Sequence, residues 1–255
     1  ARRESDEPNF VFRVLLFVER FVVRRADRLI STNETQRKVH IGRGDADPKN
    51  CVVVRNGPSE KFMGKVTPVV DDRRLGKLVL GYVGVIGVQD GVDYMVRVVH
   101  DLKFKQGRDD FVAVIVGDGS AFSALKQLAD ELDVTDRIIF TGTIPFANVP
   151  MEVASFDICF TPDPSNAYND SCTTIKTMEY MSLWKPTVCF RTHENIVTAG
   201  DAALYAREND IRSFVDQTVR LMDDRELRSA LGTLARQRIE DGLRWEDQSK
   251  ILIAM

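Results

Sequence analysis

Histidine is scarce, and what there is lies scattered at His40, His100 and His193. The four cysteines, Cys51, Cys159, Cys172 and Cys189, form no C-x-x-C pair. A metal site needs clustered ligands at fixed spacing, so none is expected. Three of the cysteines sit in apolar, strand-like runs and read as buried reduced thiols, which points to a cytosolic location. No secretory leader is expected. The longest apolar stretches are interrupted by charge, which excludes a membrane span. Neither sign of charge dominates: 35 Lys+Arg stand against 38 Asp+Glu, a formal net charge of -3. That balance argues against nucleic acid as a partner.

What remains is an ordinary soluble composition, 44% hydrophobic and 29% charged over 255 residues, enough for a substantial core. The chain opens on Ala1 and closes on Met255 within an apolar helical pattern, so both ends are expected to be truncations. Phe10, Val14, Phe17, Val18 and Phe21 recur at helical spacing over 10–25, with Arg13, Arg20, Arg24 and Arg25 among them. The favoured expectation is a helix packed on an absent domain. The alternative is a basic amphipathic helix on a membrane surface. A short strand at 27–32 leads into a second helix, for which Ser31, Thr32 or Asn33 is the candidate cap. Cys51-Val52-Val53-Val54 reads as a buried strand, and Asn56-Gly57-Pro58 stops it. The expected division is 1–57 as the end of an amino-terminal domain, 58–77 as an interdomain linker, and 78–255 as the main domain.

From Lys77 onward strands and helices alternate. Strands are predicted at 78–83, 111–116, 137–141, 157–161, 187–190 and 203–206, with helices such as 92–105 and 120–132 between them. This pattern implies an α/β fold with a parallel sheet covered on both faces. Ligands of such sheets bind at the carboxyl ends of the strands. Glycine stands at those ends: Gly84 and Gly87 after the first strand, Gly117 after the second, and Gly142-Thr143-Ile144-Pro145 after the third. Each alone is as compatible with a plain turn as with close approach to a ligand.

The strongest constellation runs from Asn169 to Met181. Small polar residues precede a helix, and Cys172, Lys176 and Glu179 are spaced to share one stripe, while Ile175, Met178, Met181 and Ser182 suit the core. The N–H groups near Thr173 and Thr174, with the helix dipole, make a phosphate site. Lys176 would add a mobile positive charge one turn on, and Glu179 has two oxygens to accept ribose hydroxyls. On an arbitrary helix, Lys176 and Glu179 would more often be a solvated ion pair. The location at the ligand edge favours function here.

These elements, in order, resemble glycosyltransferase family 4, whose members have the GT-B fold. The matching residues are Ala26-Asp27-Arg28-Leu29-Ile30, Val54-Arg55-Asn56-Gly57, Val116-Gly117-Asp118-Gly119, Ile139-Phe140-Thr141-Gly142, the helix around Glu179, and Gly200-Asp201-Ala202-Ala203-Leu204-Tyr205. Within the family the chain is similar to a bacterial branch that assembles surface polysaccharides. The resemblance implies two Rossmann-like domains, with the nucleotide-sugar donor on the carboxyl-terminal one. It implies a retaining, metal-independent, cofactor-free sugar transfer by front-face attack of an acceptor hydroxyl, with a UDP-linked donor and a glycan or lipid-linked acceptor. Gly84, Gly87, Gly117, Gly142, Ile144, Thr173, Thr174, Lys176 and Glu179 would bind the donor, with Lys176 and Glu179 as the catalytic pair. Neither Asp157-Ile158 nor Asp163-Pro164 makes an Asp-x-Asp metal motif. The chain departs from the family pattern at Ser171, where a first glutamate is usual, and at Val85 and Asp90, near the usual diphosphate-gripping cations. An epimerase of the same fold, or a non-catalytic nucleotide-binding module, are the rival readings.

Overall fold

The computed structural model of the protein describes residues 10–254, and the chain ends expected as truncations lie outside them. The chain divides after Asn56 into two compact units, and the segment from Glu246 onward belongs with the first.

In the first unit, α1 (Phe10–Arg25) precedes β1 (Leu29–Ser31), α2 (Glu34–Gly42) and β2 (Cys51–Val53). The two strands pair in parallel, Leu29 opposite Cys51. Of the three candidate caps Asn33 is the one used: its side chain accepts the Gln36 N–H at 2.7 Å and satisfies one orphan donor of α2. Val23, Ala46 and Cys51 form a small core. Most of the apolar arc of α1 faces outward; Phe10 is 80% and Phe17 69% exposed.

The second unit, Gly57–Trp245, holds the sheet. In chain order it contains β3 (Leu78–Val83), α3 (Val92–His100), β4 (Phe111–Val116), α4 (Phe122–Glu131), β5 (Ile138–Gly142), α5 (Val149–Ala154) and β6 (Ile158–Thr161). There follow α6 (Ile175–Ser182), β7 (Thr187–Phe190), α7 (His193–Ala199), β8 (Ala203–Ala206), α8 (Ile211–Asp223) and α9 (Arg225–Arg238). All six strands are parallel, in the order β5-β4-β3-β6-β7-β8. This is the doubly wound arrangement, α/β as the alternation predicts.

Strand periodicity sorts the side chains between two layers. Leu80, Tyr82, Ala113, Ile115, Ile158 and Phe160 pack with α3, α4 and α8 on one face. Val79, Val112, Val114, Val116 and Cys159 pack with α5 and Tyr180 of α6 on the other. Each fully buried Val, Ile or Phe contributes about 1.5–3 kcal/mol. Gly81, central in β3, is dictated by packing: a Cβ there would lie 1.9 Å from the Phe156 ring.

Two parts of the expected division differ. Residues 58–77 are built into the second unit, with Phe62 fully buried beside Val79 and Phe156. In the same stretch Arg74 holds Glu152 at 2.8 Å with both side chains buried. A polar stretch without periodicity hid these anchors, because its short 3₁₀ turns have no repeat to read. The last helix, Trp245–Ile253, passes out of the second unit after Trp245, and Gln248 accepts the Arg55 N–H at 2.9 Å within the first.

Candidate functional site

β3 and β6 are neighbours, yet the chain leaves them towards opposite edges of the sheet. The loops that follow them, 84–91 and 162–174, flank the crevice that such a switch point opens. The two loops touch. A Cβ on Gly91, which has φ +63°, would come 2.3 Å from the Pro162 carbonyl oxygen. The Asn169 side-chain amide donates to Gln89 O at 2.9 Å and to Pro164 O at 2.8 Å.

The strand-end glycines meet here, though not all as ligand contacts. Gly117 has φ +131°, and a Cβ on it would sit 1.9 Å from Gly84 O, so the close approach that requires glycine is loop to loop. Gly84 N–H donates to Val116 O at 3.0 Å, and Gly117 N–H to Gly142 O at 3.0 Å. Gly142, at φ +69°, has open space around its Cα. Gly87 is extended, and its N–H donates to Asp90 Oδ2 at 3.1 Å. Ile144 is half-buried against the layer containing Val79 and Val114.

α6 follows the second loop directly, and the side chain of its N-cap residue, Thr174, makes no capping hydrogen bond. The positive potential of a helix start therefore lies at this end of the crevice. The threonine hydroxyls are engaged elsewhere. Thr173 donates to the buried Glu194 carboxylate at 3.1 Å, and the Thr174 hydroxyl lies 2.9 Å from that of Thr177. Cys172 precedes the helix in extended backbone, so it does not share the Lys176–Glu179 stripe. Ile175, expected in the core, is exposed, while Thr177 takes a buried place against the Thr161 hydroxyl at 3.0 Å.

Lys176 is not a free charge. Its ammonium lies 3.0 Å from both oxygens of Asp163, 3.4 Å from the Tyr82 hydroxyl and 3.7 Å from Asp90. It also stands over the Tyr82 ring, 4.9 Å from the centroid. Burial alone would lower the Lys176 pKa, but Asp163, Tyr82 and Asp90 outweigh it and hold the group above the usual lysine value. Burial pushes Asp163 up from the usual carboxylate range despite Lys176. Asp163 is the site residue that the sequence does not single out, since Asp163-Pro164 makes no metal motif. A carboxylate two residues past a strand end, opposite a helix lysine, was the available signal.

Glu179 presents the opposite case. It is half-buried and has no hydrogen-bond or ion-pair partner among the described residues. Burial pushes its pKa up to about 7. A carboxyl in that condition is poised to take hydroxyl donors from a ligand.

One Asp-x-Asp triplet does occur, at Asp45-Ala46-Asp47, in the first unit. Asp45 pairs with Arg24 at 2.6 Å and Asp47 accepts the Lys49 N–H at 2.9 Å, so both have structural employment. Among the described residues no group of three or more His, Cys, Asp or Glu side chains could hold a metal. Cys159 and Cys189 are buried, which pushes both thiols above their ordinary range. A surface hollow of about 730 Å³ around Asp216, Arg220 and Asp223 is larger than the ≈470 Å³ groove beside Gly87 and Val88. It is formed by the α8–α9 junction and adjoins no strand-end loop, away from the crevice where ligands of such sheets bind.

A six-stranded parallel sheet with helices on both faces and a glycine loop at its switch point defines a doubly wound α/β architecture. Residues 77–224 match the family described as glycosyl transferases group 1, and the chain belongs to that family. It is 26% identical over 151 residues to 2-deoxystreptamine glucosyltransferase of Streptomyces kanamyceticus, covering 58% of this chain and 37% of that protein. It is 25% identical over 161 residues to N-acetyl-alpha-D-glucosaminyl L-malate synthase of Bacillus anthracis, covering 62% and 39%. The chain therefore spans under two fifths of either relative's length. In fold it is similar to HepE of Anabaena, solved in complex with UDP and glucose, with a TM-score of 0.80 at 13% identity over 94% of this chain and 66% of that one. The fold is GT-B.

Proposed function

We propose that the second unit binds the nucleotide diphosphate of a sugar donor, with UDP as the nucleotide, for a retaining, metal-independent transfer to a glycan or lipid-linked acceptor in polysaccharide synthesis. The observation that carries this reading is Glu179: a half-buried carboxyl without a partner, on the helix whose uncapped start lies at the switch point. In this reading Glu179 accepts the ribose hydroxyls. The N–H groups around Thr173 and Thr174 take the diphosphate, as preorganised donors aimed at the charge that develops on the leaving group. Gly84, Gly87 and Gly142 keep backbone close to the ligand, Ile144 lines the base side, and Lys176 supports the diphosphate end. The Anabaena neighbour's UDP complex favours the choice of nucleotide.

Acceptor groups in this reading come from a facing domain, since the first unit has a two-stranded sheet only. The exposed apolar arc of α1, with Arg13, Arg20 and Arg24 along one flank, is proposed to lie against that domain or an anionic membrane surface at the cytoplasmic side. No described helix is long and apolar enough to cross a membrane. The test is calorimetric titration of the 255-residue chain with UDP, in chelator and in magnesium, beside an assay of donor consumption. UDP binding that is indifferent to chelator, without acceptor-dependent turnover, is expected. Binding that requires magnesium would refute the metal-independent reading, and turnover by the chain alone would refute the placement of acceptor groups outside it.

A further inference from the structure

The Lys176 ammonium sits where three strand-end elements meet. Asp163 holds it from the loop after β6, Tyr82 from the end of β3, and Asp90 from the glycine loop. Two of these partners each fix a peptide of that loop. The Tyr82 hydroxyl donates to Val85 O at 2.8 Å, and Asp90 accepts Gly87 N–H at 3.1 Å. The cluster carries two carboxylates against one ammonium, so its formal charge is negative while the pairs stay closed. Lys176 and Asp163 are both largely buried, at 13% and 11% side-chain exposure. An ammonium so enclosed is a poor partner for an arriving diphosphate, because leaving Asp163 would strand a buried carboxylate.

We infer that Asp163 is a positioning residue: it pins Lys176 against Tyr82 and Asp90, and Lys176 in turn fixes the Val85 and Gly87 peptides of the glycine loop, so that Lys176 serves the donor through the loop and not as a phosphate ligand. The loop then meets the ligand through backbone, and Asp90 replaces a gripping cation with a clamp on Gly87. The inference rests on the donor-site reading for its bearing on UDP, and on geometry alone for its claim about the loop.

Amide hydrogen exchange of the ligand-free chain tests the loop claim, in Asp163→Asn, Lys176→Met and the double variant. Exchange across 85–91 is expected to quicken roughly tenfold or more in each single variant, beyond the change in global stability that the core amides of 111–116 report, and no further in the double. Where Lys176→Met proves too unstable to study, the double variant, which leaves no charge at 163 and only the Gly87-bound Asp90 without its cation, stands in for it. Loop exchange unchanged in Asp163→Asn overturns the inference. UDP titration over a salt series tests the rest. Asp163→Asn is expected to weaken UDP about tenfold, with the salt dependence of affinity unchanged in the lysine-free variant. A shallower salt dependence there would assign the ammonium to phosphate. Tighter UDP binding by Asp163→Asn would make that carboxylate a mere competitor. Either result overturns the inference. Failure of the unaltered chain to bind UDP would sink the donor reading, and the exchange result would still decide the loop.

Discussion

The two units treat their side chains in opposite ways. In Gly57–Trp245 every residue of β4, β6 and β7 is buried, and the buried charges Arg74 and Lys176 each have a carboxylate at hand. In the first unit a sixteen-residue helix rich in phenylalanine and valine buries Val23 alone. The lesson is about cost. Where neighbours enclose a group, its chemistry is fixed by them and a change is expensive; where they do not, the group is available to something else. Glu179 is the exception inside the enclosed unit, a carboxyl shielded from water yet unpartnered, and exceptions of that kind mark sites.

The largest effect should come from breaking the enclosed side of that contrast. Lys176→Met leaves Asp163 buried with no cation, which is expected to cost about 3–5 kcal/mol of unfolding free energy. Adding Asp163→Asn should recover much of it, because the uncompensated charge is then gone. Urea unfolding of the three proteins measures both quantities. A loss below about 1 kcal/mol for the single variant would mean that water screens the pair as it does surface salt bridges.

Next in size is Glu179. Glu179→Gln keeps the shape and removes the ionised acceptor, so UDP affinity should fall by about 1.5–3 kcal/mol, or roughly tenfold to 150-fold. An unchanged dissociation constant in a folded variant would exclude the ribose role. The same residue predicts a pH dependence in the absence of ligand. Its carboxyl has its pKa raised from 4.5 to about 7 in the folded state, so the native protein holds the proton over that interval and the unfolded chain does not. The stability associated with the neutral form is complete below about pH 4.5 and is lost as the pH rises through about 7, by at most about 3 kcal/mol. Glu179→Gln should remove this downward slope. A wild-type profile rising over the same interval, with the variant unchanged, would place the titration elsewhere.

Much of this contrast was legible in the sequence, and the gaps have physical causes. The strands at 78–83, 111–116, 187–190 and 203–206 stand as their apolar runs predict, and the first three, enclosed within the sheet, announce themselves by continuous hydrophobicity. The first helix was legible over the described residues through Arg25, since its stripe is uninterrupted by glycine or proline. Phe62 and Arg74 were not, because their burial depends on partners at Phe156 and Glu152 that are remote in sequence. Ile175 looked like a core position and is exposed, as the first residue of α6. The glycines were recognised as special without their reason: nothing local distinguishes Gly117, whose neighbour is another loop, from Gly142, which has room around it. Lys176 illustrates the same limit most sharply. Its place on the helix was readable, but its two carboxylates arrive from loops 13 and 86 residues away, so its freedom could be assumed and not read.

The smallest effect should lie on α1, and its smallness is the point. Phe17 and Phe21 are 69% and 52% exposed, so replacing both by serine removes little area that folding had taken from water. Each change is expected to move stability by no more than about 0.5 kcal/mol, the range of ordinary surface substitutions. The same pair supplies part of the apolar arc next to Arg20 and Arg24, and such an arc is the kind of surface that partners or lipid cover. Sedimentation with anionic vesicles, and sedimentation velocity without them, should therefore respond where urea unfolding does not. Vesicle binding or self-association by the unaltered chain should decline in the double variant while the unfolding curve stays in place. Were the double variant to lose more than about 1 kcal/mol of stability, the phenylalanines would be covered within this chain, and the contrast between an enclosed unit and an open helix would fail.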